Sequence, residues 1–158
     1  MDKSIVRMIT LLARKSQSYI GSALSKYNLS AAEQPFFMAL QHYEGVTQEE
    51  LTTIVCVDKA ATARAIKSLE KKGYLIRIQD KKDRRQNRIY PTDITKQLGS
   101  AVRSELLHFN DMLTQGIDPQ SLDLIYSALI KIEENFAHIS NKKSAEIEQG
   151  GQRGELNE

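Results

Sequence analysis

Apolar side chains recur at helical spacing over three long stretches of this chain. Over residues 4–27 they fall three or four positions apart, which predicts a helix too long to bury its whole stripe on a small core. The same period returns over residues 93–113. Asp118-Pro119 then places an N-cap before a proline at the first helical position. The last stripe consists of Leu122, Ile125, Tyr126, Leu129, Ile132, Phe136 and Ile139. We expect these helices to form a dimer interface, because they have no sheet of their own to cover.

Three shorter helices are predicted between the long ones, each with a start signal. Ser30 with Glu33, and Thr47 with Glu50, fit capping boxes that open the second and third helices. Gly45 would end the second helix, and the third would span residues 48–55. The residues expected to face inward are Phe36, Phe37, Leu40 and Ala39 on the second helix, and Leu51, Ile54 and Val55 on the third.

A fourth helix and a hairpin follow. Asp58 can cap the helix start, and Gly73 lies where a C-cap glycine belongs. After Gly73 the apolar period changes to that of a strand over residues 74–79, and residues 88–90 form a short return strand. The connection over residues 80–87 is wholly polar. The order helix, turn, helix, basic hairpin is that of a winged helix-turn-helix.

Positive charge is concentrated in the fourth helix and the hairpin. Residues 57–91 hold 11 Lys and Arg against four Asp and Glu, a net charge of +7. The whole chain has 22 basic and 20 acidic residues, so the remainder carries −5. Such a localised charge is the footprint expected of a surface that meets a polyanion.

The fourth helix has one face for a core and one for that polyanion. Thr62, Ala65, Ile66 and Leu69 fall on one side, while Ala60, Arg64, Lys67 and Lys71 fall on the other. No acid occupies the second face, and the small alanines at its N-terminal end would allow close approach to a groove. The pattern therefore favours a helix that enters the major groove.

The residues 58–77, with Asp83-Arg84-Arg85 and Pro91-Thr92 after them, resemble the MarR family of bacterial winged helix-turn-helix transcription regulators. The resemblance extends over roughly residues 1–140. The chain departs from the family pattern at Pro91-Thr92, where Leu-Thr is usual, and at Thr95, where glycine is usual. These two departures lie after the hairpin and concern the local path of the chain.

The resemblance implies a fold that is mostly α with a small β-hairpin wing and long N- and C-terminal dimerisation helices. Residues 1–140 would form a single unit. Within it, residues 30–92 would be the DNA-binding region, and residues 1–28 and 93–140 the dimerisation helices. The polar, glycine-containing residues 141–158 are predicted to be a disordered tail. As family members do, the protein would bind a pseudo-palindromic double-stranded DNA operator as a homodimer and repress transcription.

DNA-binding roles are assigned to two sets of residues. Arg64 matches a base- or backbone-contacting arginine of the family, and Arg85 matches its minor-groove arginine, with Asp83 placed to hold the guanidinium. Thr62 matches a family contact position, although its predicted direction is closer to the core. The full set is Lys59, Ala60, Thr62, Arg64, Lys67, Lys71, Lys81, Lys82, Asp83, Arg84, Arg85 and Arg88. Most of the affinity and a steep salt dependence should come from phosphate contacts by Lys59, Lys71, Lys81, Lys82 and Arg88. The alternative to a DNA-binding role for Asp83 and Arg85 is a solvated surface ion pair.

The family also implies a small-molecule effector or a redox signal, which would alter the separation of the two recognition helices. An effector pocket would lie near Leu12, Ser16, Phe37, His42 or Tyr43, and the simpler interpretation of these positions is core. The sequence does not identify the effector, and no cofactor is expected.

Cysteine and histidine leave two sensing roles open. Cys56 is the single cysteine, and between Val55 and Val57 a small buried hydrophobe is a simpler role than a redox sensor. His42 and His108 are weak candidates for zinc ligands, because a zinc site usually has four ligands and the sequence offers no further ones near them. We therefore assign no metal site.

Composition and the motifs that the sequence lacks argue against an enzyme, a membrane-spanning protein and a secreted protein. No phosphate loop, metalloprotease motif or nucleophile elbow occurs, so an enzyme is not expected. No apolar run approaches a membrane span, and the first residues lead into an amphipathic segment rather than a signal peptide, so we expect a cytoplasmic protein, bacterial or archaeal, at the nucleoid. The alternatives left open are a winged-helix module that docks an acidic protein partner, and a metal- or redox-responsive regulator of the same fold.

Overall fold

The computed structural model describes the backbone of residues 4–154 and the side chains of residues 4–139. Six α-helices and three strands lie in this range. Their bounds are α1 Ile5–Leu24, α2 Gln34–Ala39, β1 Val46–Thr47, α3 Gln48–Val55, α4 Lys59–Lys71, β2 Leu75–Gln79, β3 Asn87–Pro91, α5 Asp93–Thr114 and α6 Pro119–Gly154. A 3₁₀ turn, Ser25–Tyr27, follows α1. The fold is mostly helical with a small antiparallel sheet, which confirms the predicted fold class.

The described residues divide into two compact units, one ending at Asn110 and one beginning at Asp111. The first unit holds the core. Its large, fully buried apolar side chains come from the four helices α1 to α4, from the strands β2 and β3, and from α5: Leu24, Phe36, Phe37, Leu40, Leu51, Ile66, Leu69, Leu75, Ile89 and Val102. The inward face predicted for the second helix is confirmed, since Phe36, Phe37, Ala39 and Leu40 are all buried.

The sheet has three strands in the order β1-β3-β2, all antiparallel. The sequence predicted only the β2-β3 hairpin, in which Arg77 pairs with Ile89. The additional strand is two residues long, and its Val46 pairs with Ile89 from the other side. The prediction that Gly45 ends α2 is wrong, since α2 ends at Ala39. Gly45 instead precedes β1 with φ +70° and donates its N–H to the Ile89 carbonyl at 2.8 Å. Strand β1 therefore connects the wing to the start of α3.

Most helix starts agree with their predicted caps. Thr47 and Glu50 form a complete capping box, and the Asp58 carboxylate accepts the Ala61 N–H at 2.8 Å. Gly73 adopts φ +79° just beyond α4, as its C-cap role requires. The box at Ser30 is only half formed. The Glu33 side chain accepts the Ser30 N–H at 2.7 Å, but a turn covers residues 31–33, and α2 starts at Gln34.

Two threonine hydroxyls hold the chain after the wing, and one of them belongs to Thr95, where the family pattern has glycine. Thr92 donates its hydroxyl to the Gly73 carbonyl at 2.7 Å. The fully buried Thr95 donates its hydroxyl to the Tyr74 carbonyl. Gly99, one turn further along α5, leaves room for the Gln41 amide, because a Cβ there would lie 2.0 Å from Gln41 Oε1. The path into α5 is therefore fixed by threonine hydroxyls.

Two inward positions predicted near the end of α3 are wrong. Ile54 is 38% exposed. Cys56 is exposed as well, and it takes the left-handed conformation at the C-cap of α3 with φ +55°. Helix α3 has its predicted bounds, but Leu51 is its one buried side chain, and the left-handed turn at Cys56 follows directly after it.

The long helices expose much of their apolar stripes. Val6 of α1 is 74% exposed, and in the second unit Leu124 and Phe136 of α6 are 71% and 67% exposed. No helix within the described residues is long and apolar enough to cross a membrane. The backbone of α6 is helical through Gly154, whereas a disordered tail was predicted over residues 141–158. The side chains from Ser140 onward and all of residues 155–158 lie outside the described part, so the tail stays a prediction.

Candidate nucleic-acid interface

Helix α4 presents one polar, cationic face. Ala60, Arg64, Lys67 and Lys71 are exposed along it, while Ala65, Ile66 and Leu69 are buried on the opposite side. Arg64, Lys67 and Lys71 make no ion pair with any side chain of residues 4–139. Three unpaired cations on one ~10 Å-wide helical cylinder suit the major groove of DNA.

Thr62, one of the predicted contact residues, does not belong to this face. Its side chain is fully buried, and its hydroxyl donates to the Asp58 carbonyl at 2.9 Å. The helical period places it with the core residues, as its predicted direction indicated. Thr62 therefore supports the start of α4, and assigning it to the DNA contacts was wrong.

Lys59, at the first position of α4, already has a partner. Its ammonium lies 3.0 Å from Glu49 Oε1 of α3, and both side chains are about 80% exposed. Such an exposed pair is worth little and can exchange for a phosphate. Lys59 thus stays a candidate phosphate contact with an internal competitor.

The tip of the wing is organised around Asp80. Asp80 Oδ1 accepts the Lys82 N–H at 2.7 Å, and its Oδ2 pairs with the Arg88 guanidinium. These bonds, the Lys82 amide first and then Arg88, lower the pKa of the Asp80 carboxyl to about 2. The Asp80 N–H in turn donates to the Gln86 carbonyl at 2.9 Å. The tip is therefore a closed turn from which the basic side chains project: Lys81, Lys82, Arg84 and Arg85 are all exposed.

Asp83 holds Arg85 in the predicted manner. Arg85 Nε lies 3.1 Å from Asp83 Oδ1, and the backbone N–H of Arg85 donates to the same oxygen at 3.0 Å. The Arg85 side chain nevertheless remains 91% exposed. Both contacts lower the pKa of the Asp83 carboxyl, the guanidinium more than the amide. The fork fixes the direction of the guanidinium and leaves its far edge open to solvent.

Arg88 was predicted to contact phosphate, but its guanidinium has structural partners. Besides its pair with Asp80, its Nη1 donates to the Gly45 carbonyl at 2.7 Å. The side chain is only 39% exposed. Arg88 therefore joins the wing tip to the loop before β1, and a direct phosphate role would require these bonds to break.

The five candidate effector residues have different environments. Phe37 is fully buried and packs edge-on against Tyr74, with ring centroids 5.2 Å apart, so it belongs to the core. Leu12 and Tyr43 are about half exposed, and Ser16 is partly buried. His42 borders an open groove of about 360 Å³ with Met38 and Ile54.

The sensing candidates are not grouped either. His42 Nε2 lies 2.9 Å from Arg103 Nη2, a cation that disfavours a metal at that nitrogen. His108 is exposed on α5. Across residues 4–139, no three His, Cys, Asp or Glu side chains come close enough to hold a metal ion. Cys56 was predicted to be buried and is exposed instead.

Together, a helix-turn-helix with a free cationic face and a basic wing define a winged-helix DNA-binding protein. The family model "MarR family" matches residues 37–87. A MarR transcriptional regulator from Methanosarcina mazei Go1 is 32% identical, over 85% of this chain and 97% of that one, with a TM-score of 0.78. An HTH-type transcriptional regulator of Bacillus subtilis (strain 168), YybA, is 24% identical over 84% of this chain and 88% of its own.

A MarR family regulator from Listeria monocytogenes has been crystallised in complex with 26mer DNA. It is 28% identical over 85% of this chain and 89% of that one, with a TM-score of 0.77. The chain belongs to the MarR family. It is a DNA-binding transcriptional regulator, and regulators of this family are not enzymes.

Sequence reasoning missed two features of the interface. Asp80 was assigned no structural role, although aspartate commonly closes turns by accepting, with its carboxylate, the backbone N–H of the residue two positions later. The ion pair between Glu33 and Lys72 was also missed, because these residues lie 39 positions apart. Nothing in a single sequence connects them.

Proposed function

We propose that this protein is a repressor that binds a pseudo-palindromic operator in double-stranded DNA as a homodimer in the cytoplasm. The observation that carries the proposal is the exposed face of α4, where Arg64, Lys67 and Lys71 have no ion-pair partner among the described residues. A wing with four exposed basic side chains follows directly in the chain. This pairing suits one helix in the major groove and one hairpin beside it.

Within that proposal the contacts divide into base contacts and phosphate contacts. Arg64 lies in the middle of the α4 face, and its guanidinium can donate two hydrogen bonds to the O6 and N7 atoms of a guanine. Lys67 and Lys71 lie on the same face and would neutralise phosphates. Ala60 leaves space at the N-terminal end of that face, where a larger side chain would hold the helix away from the bases. At the wing, the pre-aimed Arg85 would enter the minor groove.

The homodimer is supported by the apolar surface of the long helices. Monomeric proteins rarely expose wide apolar patches, and such surfaces usually mark association sites. Apolar residues that are half or more exposed include Ile5, Val6, Met8 and Leu12 of α1, and Leu124, Tyr126, Ile130, Phe136 and Ile139 of α6. A two-fold dimer would cover these residues and present two copies of α4 to two half-sites about one DNA turn apart.

A small-molecule effector is part of the proposal through the family resemblance. Leu12, Ser16, His42 and Tyr43 stay candidates because their side chains are at least partly accessible. Such a ligand would act by favouring one separation of the two recognition helices over another. The effector's chemistry is not specified by these residues.

Selection of operators from random duplexes at near-physiological salt tests DNA reading. Wild type would be run beside Arg64→Ala and beside Lys131→Ala, which removes one exposed positive charge from α6. We expect an enriched inverted repeat that Arg64→Ala binds more weakly or with relaxed base preference, and that Lys131→Ala binds like wild type. Absence of any enriched sequence would contradict the proposal and favour an acidic protein partner for the same face.

Sedimentation equilibrium tests the homodimer. We expect twice the mass of one chain for wild type, and a shift toward one chain for Phe136→Glu, which places a charge on the apolar stripe of α6. Glu133→Lys alters the charge of a neighbouring exposed residue and serves as the control. A wild type that stays monomeric at all concentrations would exclude the dimer.

A further inference from the structure

The carboxylate of Glu33 is the most enclosed charged group among the described side chains. Only 5% of its side chain is exposed, against 23% for its partner Lys72. The Lys72 ammonium lies 2.7 Å from both carboxylate oxygens. The backbone N–H and the hydroxyl of Ser30 donate to Glu33 Oε2 at 2.7 and 2.8 Å. Lys72 thus contacts both oxygens of this carboxylate, and Ser30 donates twice to one of them.

The ion pair joins the start of α2 to the end of α4. Glu33 ends the turn before α2, and Lys72 is the C-cap residue of α4. The Ser68 side chain, one turn earlier on α4, also interacts with the Glu33 carboxylate. Burial raises the pKa of the Glu33 carboxyl, but the bonds from Lys72, Ser68 and Ser30 outweigh it and hold the pKa at about 2. The group is thus ionised at neutral pH.

The contact lies where it can control the rotation of α4 about its own axis. At ~100° per residue, Ser68 and Lys72 fall on the border between the buried face and the face that carries Arg64. The buried face packs through Ala65, Ile66 and Leu69, whose apolar contacts are not directional. Two polar contacts one turn apart on one border supply the missing direction.

A buried ion pair is a poor device for stability alone, since well-packed apolar residues often do as well or better. We propose that Glu33, through Lys72 and Ser68, is a positioning residue that sets the rotation of α4 and thereby the aim of Arg64 at base edges. The inference rests on the proposed operator recognition. It assigns part of sequence specificity to a residue that does not itself touch DNA.

The test compares affinity for the selected operator with affinity for a scrambled duplex, measured by fluorescence anisotropy at a temperature where every variant is folded. We expect Glu33→Gln to lower the ratio of specific to nonspecific affinity roughly tenfold, as the loss of one aimed base contact would. Val102→Ala, a cavity variant in the buried part of α5, provides a control whose thermal stability is also reduced.

The double variant Glu33→Gln/Lys72→Met separates positioning from stability. It removes the uncompensated ammonium, so its melting temperature should exceed that of Glu33→Gln, while its specificity ratio stays low. Lys72→Arg keeps the charge and should retain most of the wild-type ratio. If Glu33→Gln does not fold, the double variant and Lys72→Arg decide the matter.

Two results would overturn the inference. One is a specificity ratio for Glu33→Gln equal to that of Val102→Ala, and the other is a ratio that recovers together with stability in the double variant. Either result would leave the pair as a structural contact only. Failure of the operator proposal is distinguishable, because then wild type itself would show no enriched sequence and a ratio near one.

Discussion

The recognition helix α4 and the wing carry similar positive charge but organise it in opposite ways. On α4, Arg64, Lys67 and Lys71 have no ion-pair partner among the described residues. On the wing, Asp83 holds Arg85 and Asp80 holds Arg88. The wing therefore has a pre-organised guanidinium, which lowers the ordering cost of binding. The α4 side chains depend instead on how the helix itself is oriented.

The largest expected effect concerns Glu33, which contacts the end of α4, and is measured as the free energy of unfolding at different pH values. The folded-state pKa of Glu33 is about 2, below its ordinary value of 4.5, so its stabilisation is fully present above about pH 4.5 and is lost as the pH falls toward 2. A shift of this size corresponds to on the order of 3 kcal/mol. Urea unfolding of wild type between pH 6 and pH 2 should show this loss, and Glu33→Gln should lack that component. Equal pH profiles for the two proteins would contradict the assignment.

Arg64→Ala should have the next largest effect and acts on DNA binding rather than on folding. We expect a loss of about 1–3 kcal/mol on the selected operator, with relaxed preference at one base pair of each half-site. Lys67→Ala is the matched control on the same face. It should weaken binding to all duplexes alike and reduce the slope of log K against log salt by about 0.9. Anisotropy titrations at three salt concentrations measure both quantities. If Arg64→Ala weakens binding to all duplexes equally, with no change in base preference, Arg64 contacts only phosphate.

Asp80→Asn should loosen the wing and have a smaller effect. The neutral amide would lose its ion pair with Arg88 and weaken the turn at Lys82, so the tip would sample more directions. We expect reduced operator affinity, a smaller loss than for Arg64→Ala, together with faster hydrogen exchange of the Lys82 amide. Asp123→Asn on α6 gives a control with the same change of charge. Faster exchange without any loss of affinity would show that pre-organisation of the wing is unimportant.

The smallest effect is expected for Glu49→Gln. Removing this carboxylate frees the ammonium of Lys59, which lies 3.0 Å away, for a DNA phosphate. Binding to any duplex should become slightly tighter, within the ~1 kcal/mol typical of exposed pairs. Glu44→Gln, which frees Lys96 on α5, is the comparison variant. Unchanged affinity for Glu49→Gln would remove Lys59 from the interface.

The parts of the fold that sequence reasoning predicted are those set by local chemistry. Asp58, Gly73 and the Thr47–Glu50 box act within one helical turn, and the helical period alone separates Arg64 from Ile66. The parts it missed depend on residues far apart in the chain. Strand β1 exists because Val46 meets Ile89, and Arg88 is tied to the carbonyl of Gly45, 43 positions away.

The candidate site shows the same division. Exposure of Lys67, Lys71 and Arg85 followed from periodicity and from the polar wing. The partners that restrain the site, Glu33 for α4 and Asp80 for the wing, emerge only when distant segments pack. Cys56 was misplaced because its left-handed conformation turns it outward at the end of α3, which its apolar neighbours do not indicate.

Methylation interference on the selected operator distinguishes the contacts of α4 from those of the wing, because dimethyl sulfate modifies guanine N7 in the major groove and adenine N3 in the minor groove. We expect interference at guanines within each half-site that is lost in Arg64→Ala, and interference at flanking adenines that persists in Arg64→Ala but is lost in Arg85→Ala. Interference confined to one groove, or lost in both variants together, would contradict a reading helix and a separately organised wing.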